Sequence, residues 1–359
     1  HGAAPRHPHR AAPFVGRDRE LALLESTWDE CLDEGVARVV RVTAPAGVGK
    51  SRLRKEFVAR LRARTGAATV LVGRGDPVAR GVTFGLVASA LRDAIGVRNE
   101  VDDDAARAWL VGRLARDLDG PEASRVAPFI GELMGLRFTS DDDVQLRAAR
   151  HDARLMGDQL RRAWERWLRA VTDARPLLLV LEDMHWGDLA STQLVDASLR
   201  ALGDRPWMVL ALARPEVHEV FPGLWRERGA QEVVLRELGA RASERLVRAV
   251  LGDTFAVERV ARLVTQAAGN PLYLEELVRA EADGTDPYSL LAAIGRDCAG
   301  ALQLVTEGTE PTPVGTIEAD RMSEKDVTAL LADLGRSRQY PDRIVVALKA
   351  RPHRSSKGV

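Results

Sequence analysis

The sequence predicts an α/β fold in three layers, helices on both faces of a parallel sheet, and three observations carry that prediction. Short β-branched or apolar runs recur at 39–43, 69–72, 177–181, 208–213 and 231–235. Helical periodicity fills intervals between them, as over 50–64, where Leu53, Phe57, Val58 and Leu61 fall on one face. The runs 177–181 and 208–213 are apolar without alternation, the pattern of strands covered on both sides.

Each element follows in order. Residues 1–13, rich in His, Pro, Arg and Ala, lack periodicity and read as a disordered leader. The first strand, 39–43, runs into a Gly-rich turn and the helix 50–64. The second, 69–72, is closed by Gly73. The stretch 83–171 reads as mostly helical, with polar breaks near Asn99, Gly120 and Ser140. The buried strand 177–181 leads through a helix near 190–202 to the strand 208–213, and 231–235 makes a fifth. From Ala240 to Ala280 only helices are expected, with Val257, Val260, Ala261 and Val264 as an apolar stripe. There Gly269 stops one helix, Asn270 caps the next and Pro271 takes its first position.

Bulk composition narrows the function. Of 359 residues, 45% are hydrophobic and 29% charged, and 52 basic side chains balance 52 acidic ones. No global field therefore marks the chain for nucleic acid or an anionic membrane, and no direct nucleic-acid binding is expected. The apolar run 177–181 is far too short to span a bilayer. Cys31 and Cys298 form no Cys-x-x-Cys pair, which argues against a disulfide framework and fits a reducing cytoplasm. The chain starts at His1 rather than Met and reads as a fragment of something longer.

The chemistry begins at Ala44-Pro45-Ala46-Gly47-Val48-Gly49-Lys50-Ser51, between a strand and a helix. This is the P-loop pattern with Ala44 in place of the first glycine. Gly47 and Gly49 let successive N–H groups curl around phosphate oxygens, and the helix N-terminus adds positive potential. Lys50 reaches the β- and γ-phosphates and Ser51 Oγ ligates Mg²⁺, with Ala46, Val48 and Arg52 completing the loop contacts. A plain Gly-rich turn with an exposed lysine is the bland alternative, and the strand–loop–helix context weighs against it.

The strand 177–181 ends in Glu182-Asp183, acids at the edge where parallel sheets bind ligands. One can hold magnesium while the other orients an attacking water. The strand 208–213 ends in Arg214, which at the same edge can sense or stabilise a γ-phosphate. Lys50, Glu182, Asp183 and Arg214 are thus the catalytic candidates, and Ser51, Glu182 and Asp183 the metal candidates.

At this point the chain resembles a known family. Phe14-Val15-Gly16-Arg17 looks like the adenine-side box of STAND-class ATPases, relatives of the AAA+ and origin-recognition-type ATPases. The run from Glu182 to Asp188 is similar to the second motif of ATPase domains in large LuxR-type regulators and PknK-type kinases. Arg214 matches the family's first sensor arginine, and Gly269-Asn270-Pro271 resembles its lid motif. The resemblance implies that Val15, Gly16 and Arg17 line the base or ribose and that Pro271 closes the lid. His185 and Trp186 would be supports. Ala44 and Glu182 depart from the common pattern and point to slow turnover.

These readings divide the chain into a P-loop ATPase domain over 14–238 and a helical lid over 239–282. A segment over 283–335, around 286–304, resembles the amino-terminal part of HipA-type toxin kinases, and an irregular, partly disordered tail occupies 336–359. The expected function is a slow ATP-hydrolysing STAND-type signalling switch in transcriptional regulation, with ATP or ADP and Mg²⁺ as ligands. Its effector domain or partner protein is missing from this chain, and nucleotide-dependent self-association is expected. The alternatives are a nucleotide-binding scaffold without turnover, a fragment of a HipA-like protein kinase, and an origin-type DNA-associated ATPase.

Overall fold

A computed structural model describes residues 13–65, 68–77, 82–96, 103–138, 143–283, 301–306, 313–317 and 344–349. The chain forms two compact units. One comprises Arg19–Ala44 and Leu53–Val234, the other His1–Asp18, Pro45–Arg52 and Leu235–Val359.

The larger unit is built on five parallel strands. The elements run α1 (Asp18–Glu34), β1 (Ala37–Thr43), α2 (Lys50–Thr65), β2 (Thr69–Arg74), then α3 (Gly85–Ile95), α4 (Asp103–Leu114), α5 (Gly120–Met134), α6 (Val144–His151) and α7 (Ala153–Ala174). They continue with β3 (Leu177–Glu182), a 3₁₀ turn (Met184–Trp186), α8 (Leu189–Ala201), β4 (Trp207–Ala213), α9 (Val217–Val220) and β5 (Gln231–Val234). The strand order is β2-β3-β4-β1-β5. β4 therefore lies between the strand that precedes the P-loop and the strand that ends in Glu182, with Leu178 opposite Met208 and Val39 opposite Val209.

All five expected strands are present. Every residue of β3 and β4 is buried, as their unbroken apolar runs require. Leu53, Phe57, Val58 and Leu61 are buried along α2, so the face read from the sequence is the packed one. β2 extends two residues past its expected last residue, Val72, pairing Gly73 with Leu181 and Arg74 with Glu182. The glycine serves packing rather than termination, since a Cβ there would lie 2.5 Å from Leu86 O of α3.

The helical stretch between β2 and β3 has its own core. Trp164 and Trp167 pack at 5.6 Å between ring centroids, and Trp167 Nε1 donates to the buried Asp117 at 3.1 Å. Arg113 and Arg175 also bond Asp117, so the buried carboxylate is neutralised. Asp152 breaks the stretch at a place the sequence reading missed: it ends α6 and its side chain caps α7 through Arg154 N and Leu155 N.

In the other unit α10 (Ala240–Leu251), α11 (Val257–Ala267) and α12 (Pro271–Asp283) follow, then β6 (Ala301–Thr306), β7 (Pro313–Ile317) and β8 (Ile344–Lys349). Over 240–280, where only helices are expected from the sequence, the structure has α10, α11 and α12. β6 pairs antiparallel with both β7 and β8. The tail expected to be irregular over 336–359 thus contains a strand. Its run Ile344-Val345-Val346-Ala347-Leu348 is β-prone, and its pairing partner lies some forty residues earlier, where a local reading does not see it. The leader up to residue 12, most of the HipA-like stretch (286–300) and its expected helix at 322–334 lie outside the described residues. Among the described residues no helix is long and apolar enough to cross a membrane.

Candidate functional site

The sequence candidates fall in both units. In the unit holding the P-loop, Gly47 and Gly49 have φ of 76° and 104°, the left-handed conformation that curls a loop around an anion. Lys50 opens α2, and its Nζ donates to Pro45 O at 2.9 Å. Ser51 and Arg52 are exposed, whereas Val48 is buried.

Two segments hold this loop from outside. Arg17, only 6% exposed, donates from Nη2 to Val48 O at 3.0 Å and to Arg236 O at 2.5 Å. Asn270 Nδ2 donates to Ala46 O at 3.2 Å, and Leu272 N–H to Gly47 O at 3.2 Å. Pro271 Cγ lies 3.9 Å from where a Gly49 Cβ would stand. The loop carbonyls thus point to the lid and to Arg17. Across each trans peptide the N–H opposes the C=O, so the Gly47, Val48 and Gly49 N–H groups point away from those contacts. Three N–H donors therefore lie on the other side of the loop.

Asn270 works twice, because its Oδ1 also accepts from Tyr273 N–H at 3.2 Å and caps α12. Val15 is half-buried and Gly16 (φ 71°) packs on α10, where an added Cβ would meet Ala242 Cβ at 2.7 Å. On α12, burial pushes the Glu275 carboxyl above the usual range against the pull of Arg52 and Arg279.

In the sheet unit, Glu182 closes β3 and is 5% exposed. Its Oε1 accepts from Arg54 Nε at 3.2 Å and its Oε2 from Arg74 Nε at 2.8 Å. Both oxygens are therefore engaged by guanidinium groups, and a metal would have to share the carboxylate with them. Asp183 follows with φ 53°, a left-handed conformation costly for a non-glycine and characteristic of functional turns. The turn it starts carries His185, whose Nδ1 accepts from Arg214 N–H at 3.3 Å. That bond requires a lone pair on Nδ1. The Arg214 guanidinium sits 5.1 Å from the Trp186 ring centroid, and the His185 and Trp186 rings stand 4.5 Å apart.

Asp188, quoted in the sequence motif without a role, proves to be a double cap. It accepts from Ser191 N and Oγ on α8 and from Phe84 N and Leu86 N at the start of α3. The Arg54 and Arg74 partners of Glu182 were also missed, since neither lies in a local motif.

In donor chemistry the P-loop segment, with its glycine nest, a lysine at a helix N-terminus and a hydroxyl beside it, suits a nucleotide phosphate, and the sheet unit by itself carries a pair of acids of the kind that hold magnesium. Among the described residues no group of three or more His, Cys, Asp or Glu could hold a metal. A cation here would thus need phosphate and water oxygens, as Mg²⁺ commonly does.

Residues 13–210 match the AAA ATPase domain. An uncharacterized protein of Rhizobium meliloti (strain 1021) is 25% identical over 347 residues, which takes in 90% of this chain but only 31% of that protein. The chain therefore spans about a third of this curated relative. The portion left outside the comparison is shorter than the stretch after Ala282, so the similarity extends past the lid. Among solved structures, the Aeropyrum pernix ORC1 protein in complex with DNA covers 95% of this chain and 91% of its own, at 14% identity and TM-score 0.47. A Thermotoga maritima RuvB mutant covers 91% of this chain and 74% of its own, at 12% identity and TM-score 0.41.

Proposed function

We propose, from the premise that this chain belongs to the AAA ATPase domain family, that it is an ATP-binding, slowly hydrolysing regulatory switch of the STAND type. The observation that carries the reading is the P-loop held by its carbonyl side. Asn270 and Leu272 of the lid bond Ala46 O and Gly47 O, which leaves the N–H side of the loop for phosphate.

In this reading Lys50 leaves Pro45 O and neutralises charge on the β- and γ-phosphates, and the α12 lid moves with the loop to which it is bonded. Ser51 Oγ and one of the acids hold Mg²⁺, which when bound supplies the positive charge that steadies the leaving phosphate. Asp183 orients the attacking water and takes up its proton, and Arg214 stabilises the γ-phosphate. Val15, Gly16 and Pro271 lie along the base, while Arg17 holds the loop. An effector domain or partner protein outside this chain reads the lid, and self-association accompanies the nucleotide state.

One observation favours the second reading, a nucleotide-binding scaffold without turnover: Glu182 has both oxygens on arginines. Calorimetric titration of ATP and ADP with magnesium, on wild type and Lys50→Ala, tests the shared premise. Binding lost in the variant supports it, and no binding to a folded wild type refutes it. Multiple-turnover phosphate release, abolished in Asp183→Ala, separates the switch from the scaffold.

A further inference from the structure

Between the end of β2, one face of α3 from Gly85 to Asp93 and the 3₁₀ turn after β3 lies a cleft of about 400 Å³. That volume suits a small molecule. Most of the polar groups that line it are already used. Arg92 donates to Met134 O, the Asp188 oxygens accept four hydrogen bonds, and Ser89 Oγ accepts from Arg74 N–H. Asp76 also has an interaction of its own.

Two charges remain. Arg74 uses Nε on Glu182, but its two Nη nitrogens make no hydrogen bond among the described residues, and its side chain is 64% exposed. Asp93, also exposed, makes no side-chain hydrogen bond or ion pair among the described residues. The same cleft thus presents a guanidinium whose Nη donors are spare although its Nε is paired with Glu182, and a carboxylate with no partner among the described residues. Beside them stand the side chains of Val72, Val82 and Leu86 and the Trp186 indole.

We infer that this cleft binds a small zwitterion with an apolar side chain, an α-amino acid. Its carboxylate takes the paired Nη donors of Arg74, the planar fork that suits a carboxylate. Its ammonium takes Asp93, and its side chain covers the apolar wall and the indole. A simple anion would leave Asp93 facing like charge, and a simple cation would do the same to Arg74.

The cleft shares two walls with the candidate catalytic groups. Arg74 holds Glu182, and the Trp186 ring carries the Arg214 guanidinium. Occupancy therefore bears on both, making the amino acid an effector of ATP turnover. That consequence rests on the proposed ATPase reading, whereas binding itself does not.

The test titrates L-leucine and L-phenylalanine calorimetrically into the full chain without nucleotide, beside N-acetyl-L-leucine and L-leucinamide. Saturable binding of an amino acid is expected, weakened about tenfold or more in Arg74→Ala and in Asp93→Asn. Leucinamide, lacking the carboxylate, should bind weakly and ignore the Arg74 change. N-acetyl-leucine, lacking the ammonium, should ignore the Asp93 change. The absence of saturable heat up to ~10 mM on a chain folded by circular dichroism overturns the proposal. So does binding of either blocked analogue as tight as that of leucine, or leucine affinity unaltered in Asp93→Asn. That variant, at an exposed residue whose side chain makes no hydrogen bond or ion pair among the described residues, decides the matter even where Arg74→Ala fails to fold. Leucine binding without ATP turnover would refute the enzyme reading and leave the site standing.

Discussion

Asn270 donates to Ala46 O through Nδ2 and accepts from Tyr273 N–H through Oδ1, so one carboxamide both starts the lid helix and grips the P-loop. The side chain is 8% exposed, and neither bond is readily replaced by water. Asn270→Ala should cost roughly 1–3 kcal/mol in stability and weaken ATP binding. Asn270→Asp keeps the cap but cannot donate to Ala46 O. Thermal unfolding should recover in the aspartate variant while ATP affinity, measured by titration, should not.

Gly47 combines a left-handed backbone with crowding, because an added Cβ would stand 2.7 Å from the Asn270 amide. Gly35 shares the positive φ, at 63°, but has nothing within 4 Å of the same added atom. Gly35→Ala should therefore show the backbone penalty alone, about 1 kcal/mol, in chemical denaturation. Gly47→Ala should lose more than that and also lose nucleotide binding.

Arg214 is held over the Trp186 ring at 5.1 Å. A cation over an aromatic face contributes about 0.5–2 kcal/mol, so Trp186→Leu should lower kcat for ATP roughly twofold to thirtyfold. Trp186→Phe should retain most of the rate. KM for ATP should move little in either, which distinguishes loss of arginine placement from loss of nucleotide binding.

Glu275 offers a pH-dependent test. Burial raises its folded-state pKa despite Arg52 and Arg279, so its favourable contribution is full below the ordinary carboxylate range and is lost as pH rises through the raised value. Ionised Glu275 is thus a burden near neutral pH. Glu275→Gln should melt higher than wild type near pH 7, and the gap should close near pH 4. A gap of constant size would place the cause elsewhere.

Cys31 is fully buried, its Sγ donates to Trp207 O at 3.4 Å, and burial pushes its thiol up to about 12. Since the thiolate is the reactive species, a Cys298→Ser variant should take up no aromatic disulfide reagent at mild alkaline pH until denaturant is added. Labelling in the native state would show that α1 opens locally.

Much of this was legible from local sequence. The unbroken apolar runs of β3 and β4 announce strands covered on both faces, and Gly269-Asn270-Pro271 announces a helix stop, a cap and a start. What escaped depends on partners far along the chain. Arg54 and Arg74 converge on Glu182 only because β2 pairs with β3 and α2 presents Arg54 to the same edge, and no spacing encodes that. Gly73 looked like a terminator because its packing partner, Leu86 O, belongs to a later helix. The strand β8 looked like part of a tail because its ladder lies with β6. The left-handed Asp183 carries no signal at all, since aspartate occupies ordinary backbone just as well.

The strand order also has a consequence for how the chain is made. β1 pairs with β4 and β5, with Ala37 opposite Trp207, and β2 is not its neighbour. On a ribosome adding about 5–20 residues per second, Val39, Val40 and Val42 would wait on the order of ten to thirty seconds for the strand that covers their edge. During that time the nascent chain carries an open, β-branched ribbon, the kind of surface that chaperones bind and that aggregates when they are scarce. Slowing translation between β1 and β4 should therefore lower the soluble yield more than slowing it after β5.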